Sequence, residues 1–295
     1  HCVTGVQTCA LPIFNNNLIR NKMKIDTSFI KKAFGIGLIS IVFIGCQNMD
    51  RPELGDYPKD ANAPGGPLKF YVAFDGTTTN SLMNAVDSVR AKFPTDNPLE
   101  STEGISGKGL KGKGGIPKKF VSYAKPNDFV ANSASFTIAF WSKHGPPTQT
   151  EFVFSIVSDN EFKANMFCLF EGTDSAPIVK FYIDEQPGEK WFEWINAEKI
   201  PGVYDGQWHH LAFVYDGLTS GMTLYKDGVA FATKKWTNHG NIKLKESNVL
   251  GFRIGGAGNP AEGWMNSWTG DLDQFRMYGK ALTVAEINEL YTKKK

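Results

Sequence analysis

The segment DGQWHHLAFVYDG, residues 205–217, places His209 and His210 side by side, next to Trp208 and between two Asp-Gly steps. Imidazoles in such company could ligate a metal or relay protons. The local pattern argues for packing instead. Successive side chains of a strand point to opposite faces, so the two rings cannot close on one ion. A helical zinc site would need histidines at i and i+4 with an acid between them, and the segment has neither. Alternation puts Trp208, His210, Ala212 and Val214 on one face and His209, Leu211, Phe213 and Tyr215 on the other. Both faces are mostly apolar, as in a strand covered on both sides.

Other chemistries fare no better. Cleavage of a glycosidic bond needs two carboxylates flanking it, about 5–5.5 Å apart for retention. The tightest group of acids, Asp184, Glu185 and Glu189, is interrupted by Pro187–Gly188, which reads as a turn. There is no Gly-x-Ser-x-Gly elbow. The Gly/Lys-rich stretch GISGKGLKGKGGIPKK contains no GxxxxGK[ST] phosphate cradle and reads as a solvated turn region or short strand crossing. Cys168, alone in the apolar run NMFCLF, reads as a buried thiol. Asp273 is more informative. In GDLDQFRMY it alternates with Phe275 and Met277, and a carboxylate on an apolar face must be paired, hydrogen-bonded or metal-bound.

These residues are carried by a chain of 295 residues, 41% hydrophobic, enough for one well-buried domain of the larger kind. A net charge of +2, from 32 basic and 30 acidic residues, gives no basis for a nucleic-acid partner or for general adhesion to membrane surfaces. Aromatic residues make up 13% of the chain and glycines number 30, a composition that favours strands and turns. Short strand-like runs follow one another from residue 127: SFTIAFWSK, EFVFSIVS, NMFCLFE, APIVKFYID, WHHLAFVYD, MTLYKD, VAFATKK, VLGFRIGG and GDLDQFRMY. Asp227–Gly228 marks a two-residue hairpin. LKFYVAF begins the domain, and Leu82, Val86, Val89 and Phe93 then recur at helical spacing up to Pro94. Thr283 and Glu286 form a capping-box pattern over a short C-terminal helix.

SFTIAFW, DGQWHHLAFVYDG, LYKDGV and GDLDQFRMYGKALTVAEINELY, in that order, resemble the laminin G-like, or concanavalin A-like, jelly-roll domains of bacterial surface proteins. The resemblance spans roughly residues 68–292, within a domain read as residues 68–295. It implies an all-β fold, a two-sheet antiparallel β-sandwich, with one short helix after the first strand and a short helix at the C-terminus. Retaining hydrolases of this fold carry Glu-x-Asp-x-x-Glu on one strand, a spacing missing here. The expectation is therefore a non-catalytic module. Members of the fold hold calcium between the first and last strands, which makes Asp75 and Asp273 the candidate ligands, since calcium takes six to eight oxygens. Binding members stack sugars on aromatic rings and select hydroxyls with polar groups. That singles out Trp191 and Trp194, which alternation places on opposite faces, together with Trp236. It also singles out the loop residues Asn259, Glu262, Trp264, Asn266 and Trp268. Trp141 and Trp208 match strand positions of the family and are expected in the core.

The N-terminal region is of a different kind. VTGVQTCALPI, residues 3–13, resembles the translated reading of a sequencing adapter, so residues 1–22 are expected to be an artefact, with Met23 as the natural start. Lys24, Lys31 and Lys32 precede the apolar run AFGIGLISIVFIG, which ends at Gly45–Cys46 and is short for a membrane-spanning helix. Residues 23–45 resemble a bacterial lipoprotein signal peptide, with Cys46 as the lipidated residue. Asp50 and Glu53 resemble the surface-export signal of Bacteroidota lipoproteins. Residues 46–67, rich in Pro and Gly, read as a tether. The expected protein is lipid-anchored to the outer membrane and faces outward. Its expected partner is a polysaccharide or oligosaccharide, beside an outer-membrane glycan-uptake complex. Two alternatives remain: a protein-binding or adhesive module of the same fold, and an atypical polysaccharide lyase or glycoside hydrolase.

Overall fold

Side-chain alternation gives most strands here one strongly apolar face, and in the computed structural model those faces meet between two sheets. The structure describes residues 66–75, 99–114, 119–158, 164–257 and 264–294. Among them the first strands are β1 (Leu68–Val72), β2 (Glu100–Glu103), β3 (Lys108–Lys111), β4 (Val121–Tyr123) and β5 (Phe136–Lys143). Next come β6 (Glu151–Ser158), β7 (Ala164–Gly172), β8 (Pro177–Asp184), β9 (Glu189–Trp194) and β10 (Trp208–Asp216). The last are β11 (Gly221–Lys226), β12 (Val229–Lys235), β13 (Val249–Ile254), β14 (Asn266–Ser267) and β15 (Asp271–Tyr278), before helix α1 (Val284–Lys293). The first sheet runs β12-β11-β10-β5-β15-β3-β2, with β1 also paired to β15. The second runs β4-β13-β6-β7-β8-β9, with β14 added in parallel to β6; the other pairs are antiparallel.

The expected two-sheet sandwich and C-terminal helix are therefore present, and residues 104–111 of the Gly/Lys-rich stretch supply the turn and second strand of the β2–β3 hairpin. The helix expected over residues 82–93 lies outside the described residues. Between the sheets, Phe140 stacks on Phe275 at 5.9 Å, and Phe154 meets Phe275 edge-on at 5.5 Å. Phe181 packs on Phe213 at 5.1 Å. Such pairs add about 0.5–1.5 kcal/mol each beyond the area they bury. Cys168 is a buried free thiol in this layer, and burial pushes its pKa well up.

A smaller apolar cluster lies on the outer face of the first sheet. Ala139, Ala212, Val214, Tyr225 and Tyr278 pack there with Leu282 and Ile287. The alanines leave room for α1 to lie close. The capping box of α1 forms as its pattern predicts: Thr283 Oγ1 accepts from Glu286 N at 3.3 Å, and Thr283 N donates to Glu286 Oε2 at 2.8 Å.

The histidine pair obeys strand alternation. Leu211, Phe213 and Tyr215 enter the inter-sheet core, whereas Ala212 and Val214 join the outer cluster. Trp141 is buried as expected, but Trp208, at the start of β10, is only half-buried. His210 is fully buried, opposite Trp141. His209 faces two carboxylates, with Nδ1 2.8 Å from Asp227 Oδ2 and Nε2 3.1 Å from Asp205 Oδ1. Only the imidazolium donates from both nitrogens. The hydrogen bond to Asp227 raises the His209 pKa above 6.5 against a smaller opposing effect of burial. At Asp227 burial pushes upward, but hydrogen bonds from His209 and from the His210 N–H together hold the carboxyl below 3.8. A raised histidine stabilises fully below its unfolded pKa and loses this as pH rises through the folded value. A lowered carboxylate stabilises above its unfolded pKa and loses this as pH falls. The pair should therefore contribute most between pH 3.8 and 6.5. Denaturant titrations should show His209→Gln less stable by about 1 kcal/mol near pH 5.5, with the gap closing above pH 8. A gap that does not change with pH would rule out the charged clamp.

Candidate functional site on the outer face of the second sheet

Alternation along β7 sends Met166, Cys168 and Phe170 into the inter-sheet core and turns Phe167 and Leu169 the other way. In β8 it turns Lys180 and Tyr182 outward, and in β9 Trp191 and Glu193. Cross-strand register lines these up, with Phe167 opposite Tyr182 and Tyr182 opposite Trp191. The result is a row of five rings across β9, β8, β7 and β6. Trp191 lies 4.6 Å from Tyr182, Tyr182 4.8 Å from Phe167, Phe167 5.0 Å from Phe152, and Phe152 5.6 Å from Trp264. The three middle rings are buried. Trp191 is half-buried, and Trp264 is 44% exposed. The row thus reaches the surface at its two tryptophan ends.

Polar groups surround the Trp191 end. Lys180 Nζ sits 2.9 Å from Glu171 Oε2 and 3.6 Å from Glu193 Oε1, and lies over the Trp191 ring at 5.9 Å. Thr150 Oγ1 donates to Glu171 Oε1 at 2.7 Å, and Tyr182 Oη donates to Glu189 Oε2 at 2.6 Å. An apolar ring face edged by an ammonium and carboxylates can stack on the C–H face of a sugar and bond its hydroxyls. The Lys180 and Glu193 contribution was available from alternation, since both lie at even spacing from Tyr182 or Trp191.

The other aromatic candidates are dispersed. Trp194 and Trp268 are fully buried and cannot act as platforms. Alternation turns Trp194 into the core, where Nε1 donates to Ala232 O at 3.2 Å. Trp268 is wedged between His144 at 4.2 Å and Phe170 at 4.8 Å. Asn266 is also buried, with its amide donating to Trp264 O at 3.2 Å, so it holds the loop instead of facing solvent. Trp236 is half-buried and stacks on His239 at 3.6 Å, far from the row in the chain of ring contacts. Asn259 and Glu262 lie outside the described residues.

Asp75 and Asp273 do come together, on the β2–β3 turn. Asp273 Oδ2 accepts from Ile105 N at 2.8 Å and Ser106 N at 3.3 Å, and Asp75 Oδ1 accepts from Lys108 N at 2.8 Å. Gly104 and Gly107 let the turn close on them. A Cβ on either would collide with a carboxylate, and Gly107 has φ +66°. Asp273 is on the face opposite to the one expected. Gln274, at φ +48°, interrupts the register with β5, so Asp273 lies opposite Trp141 while Phe275 and Met277 turn into the core. Burial pushes Asp273 up to about 7, and Asp75 is raised chiefly by burial as well. Asp273 Oδ1 is buried without a partner.

One polar network, buried at His144 and Glu151, leaves no signature in the sequence. His144 Nε2 lies 2.9 Å from Glu151 Oε2, which also accepts from Thr269 N at 2.8 Å and Thr269 Oγ1 at 2.7 Å. Histidine, acid and hydroxyl suggest a nucleophilic relay, but the geometry is wrong for one. A relay needs the hydroxyl and the acid on different ring nitrogens. Here both meet Nε2, and Nδ1 faces Gly145 O. The network ties the segment leading into β15 to the ends of β5 and β6.

Comparison with solved structures finds jelly-roll binding domains. The binding domain of botulinum neurotoxin DC, in complex with SialylT, superposes with a TM-score of 0.56 at 13% identity, over 78% of this chain and 52% of that one. The binding domain of paraclostridial mosquitocidal protein 1 gives 0.55 at 15% identity, over 77% and 52%. Domain 4 of AbnA, a GH43 extracellular arabinanase from Geobacillus stearothermophilus in complex with arabinotriose, gives 0.51 at 17% identity, over 76% and 98%. The chain spans about half the length of the first two of these, and at these identities the likeness is one of fold. A comparison with curated protein sequences finds no match. The Laminin_G_3 profile, described as the concanavalin A-like lectin/glucanases superfamily, matches residues 120–288. With that match over more than half of its length and the two-sheet sandwich observed, the chain belongs to the laminin G-type, concanavalin A-like lectin/glucanases superfamily.

Proposed function

We propose that this protein is a non-catalytic carbohydrate-binding module, held on the outer surface of a bacterial cell by a lipid on Cys46. The observation that carries the reading is the ring row of the second sheet, whose terminal tryptophans reach solvent, Trp191 beside Lys180, Glu171 and Glu193. The arabinotriose-bound arabinanase domain of like fold supports it. Residues 33–46, with their apolar run ending at Gly45–Cys46, support the anchor. An anchored module of this kind would hold a polysaccharide or oligosaccharide beside an outer-membrane uptake complex.

A glycan array probed with the purified protein tests this directly. Retention of at least one glycan is expected, with no product released on long incubation. Trp191→Ala and Trp264→Ala should each weaken that binding about fivefold or more, since loss of a stacked ring costs on the order of 1–3 kcal/mol. Trp236→Ala should leave it unchanged. An empty array would end the carbohydrate reading in favour of a protein partner, and shortened glycan products would restore the enzyme.

Calcium is a second element of the reading. Asp273 Oδ1, buried and unpartnered, and the neighbouring Asp75 carboxylate suit a hard cation that prefers oxygen. Among the described residues no three His, Cys, Asp or Glu side chains group as a metal site, so backbone carbonyls or water would have to complete the shell. Calcium held there would neutralise two carboxylates and brace the β2–β3 turn against β15. At pH 8, adding calcium after chelation should raise the melting temperature by on the order of 5 °C, and Asp273→Asn should abolish the rise. Identical melts with calcium and with chelator would remove both aspartates from the metal list.

A further inference from the structure

On the outer face of the first sheet, partly below α1, lies a buried polar row whose Trp141 and His210 have no part in the sugar-stacking surface or the calcium site. Asp273 of β15, Trp141 of β5 and His210 of β10 are consecutive cross-strand partners. Trp141 Nε1 and both ring nitrogens of His210 are buried without hydrogen-bond partners. The cover is aromatic. Tyr291 of α1 stacks on Trp141 at 5.7 Å with 25° between the planes and lies 6.4 Å from the His210 ring, which is itself 5.3 Å from Trp141. A neutral imidazole tolerates such surroundings at a modest cost, but an imidazolium brings a charge and two donors that need acceptors.

None of the groups facing His210 hydrogen-bonds either ring nitrogen. From the β11–β12 turn comes Asp227, whose carboxylate already takes the His210 backbone N–H at 3.0 Å and the His209 ring at 2.8 Å. β15 contributes Arg276, a like charge, and Asp273 beyond Trp141, with Oδ2 committed to the turn N–H groups. α1 contributes the uncharged Tyr291 and, near its end, Lys294, whose ammonium lies 5.7 Å over the Trp141 ring. β5 supplies only the indole. Burial, reinforced by Arg276 and opposed by Asp227, holds the His210 imidazole down to about 3.

The cover is also unevenly fastened. Its N-terminal end is held by the capping box, by Leu282 N donating to Thr137 Oγ1 at 2.9 Å, and by Thr137 Oγ1 donating to Lys280 O at 2.9 Å. Within the helix only Ile287 is buried. The last turns add only half-buried or exposed contacts: Leu290 against the outer apolar cluster, Tyr291 on Trp141 and His210, and Lys294 over Trp141.

We propose that the C-terminal half of α1 is an acid-released cover, which lifts from the first sheet when His210 takes a proton while the sandwich beneath stays folded. Opening returns the imidazole to water and its ordinary value of 6.5. The sign follows from that difference. A histidine depressed in the closed form leaves closure at full strength above pH 6.5 and weakens it as pH falls. Each pH unit below that multiplies the open-to-closed ratio by up to about ten, so pH 5 favours opening by up to ~30-fold over neutral pH.

Hydrogen exchange on the full chain between pH 7.5 and 5, corrected for intrinsic rates, reads this opening directly. Amides of residues 288–293 should lose protection by up to ~30-fold on acidification, while those of β5 and β7 keep theirs. His210→Phe should remove the pH dependence, and His209→Gln should retain it. Should His210→Phe fail to fold, Tyr291→Ala decides. Loosening the cover should move its release to higher pH, and Tyr291→Phe should restore the wild-type profile. Helix protection that ignores pH, a response that survives in His210→Phe, an unshifted profile in Tyr291→Ala, or α1 and β5 opening together would each overturn the proposal.

Discussion

The structure depends on one layer of interleaved rings between two sheets. Phe140, Phe213 and Phe275 come from the first sheet, and Phe154 and Phe181 from the second. They can mesh only if each strand keeps its two-residue period in phase with its neighbours. A slip of one residue in any central strand would send a row of phenylalanines to the outside. That requirement sets which polar residues end on the outer faces, and so it decides where recognition and control can reside.

β15 meets this requirement by breaking its own period. It pairs with β5 on one side and with β1 and β3 on the other. At Gln274 the backbone turns to a positive φ, and one extra residue enters the strand. Leu272 and Phe275 both point inward as a result, and Asp273 is turned to the outer face. The carboxylate that simple alternation would bury between the sheets is handed to the N–H groups of the β2–β3 turn. A bulge at a sheet centre thus spares the core a charge and ties a hairpin to the strand beside it.

The two outer faces are used differently. The first sheet carries alanines that admit α1, with a histidine and a tryptophan beneath its last turns. The second carries a row of rings that surfaces at both ends, at Trp191 among a lysine and glutamates. A stacking surface for a neutral, hydroxylated ligand needs ring faces and hydrogen-bonding groups together, and the second sheet brings these together at Trp191. His210 and Trp141 have the chemistry of a site but lie under a helix, which suits them to respond to pH more than to bind.

Much of the fold was legible in the chain. The Asp-Gly steps, the alternating runs from residue 136 on, the Thr283–Glu286 cap and the split of His209 from His210 all follow from local periodicity and turn chemistry, which neighbouring residues set by themselves. Trp191 and Trp194 were correctly assigned to opposite faces for the same reason. Other features depend on contacts between residues far apart in the chain. Periodicity cannot show that Trp268 folds inward against His144 and Phe170, that Gln274 bulges, or that Phe152, Phe167 and Tyr182 join Trp191 to Trp264. The sequence by itself determined strands, turns and the sidedness of each residue, because these are properties of a backbone with period two. Which sides meet, which tryptophans reach water and which histidine lies beneath a helix were decided only by tertiary packing, because register and burial are set by partners tens to hundreds of residues away.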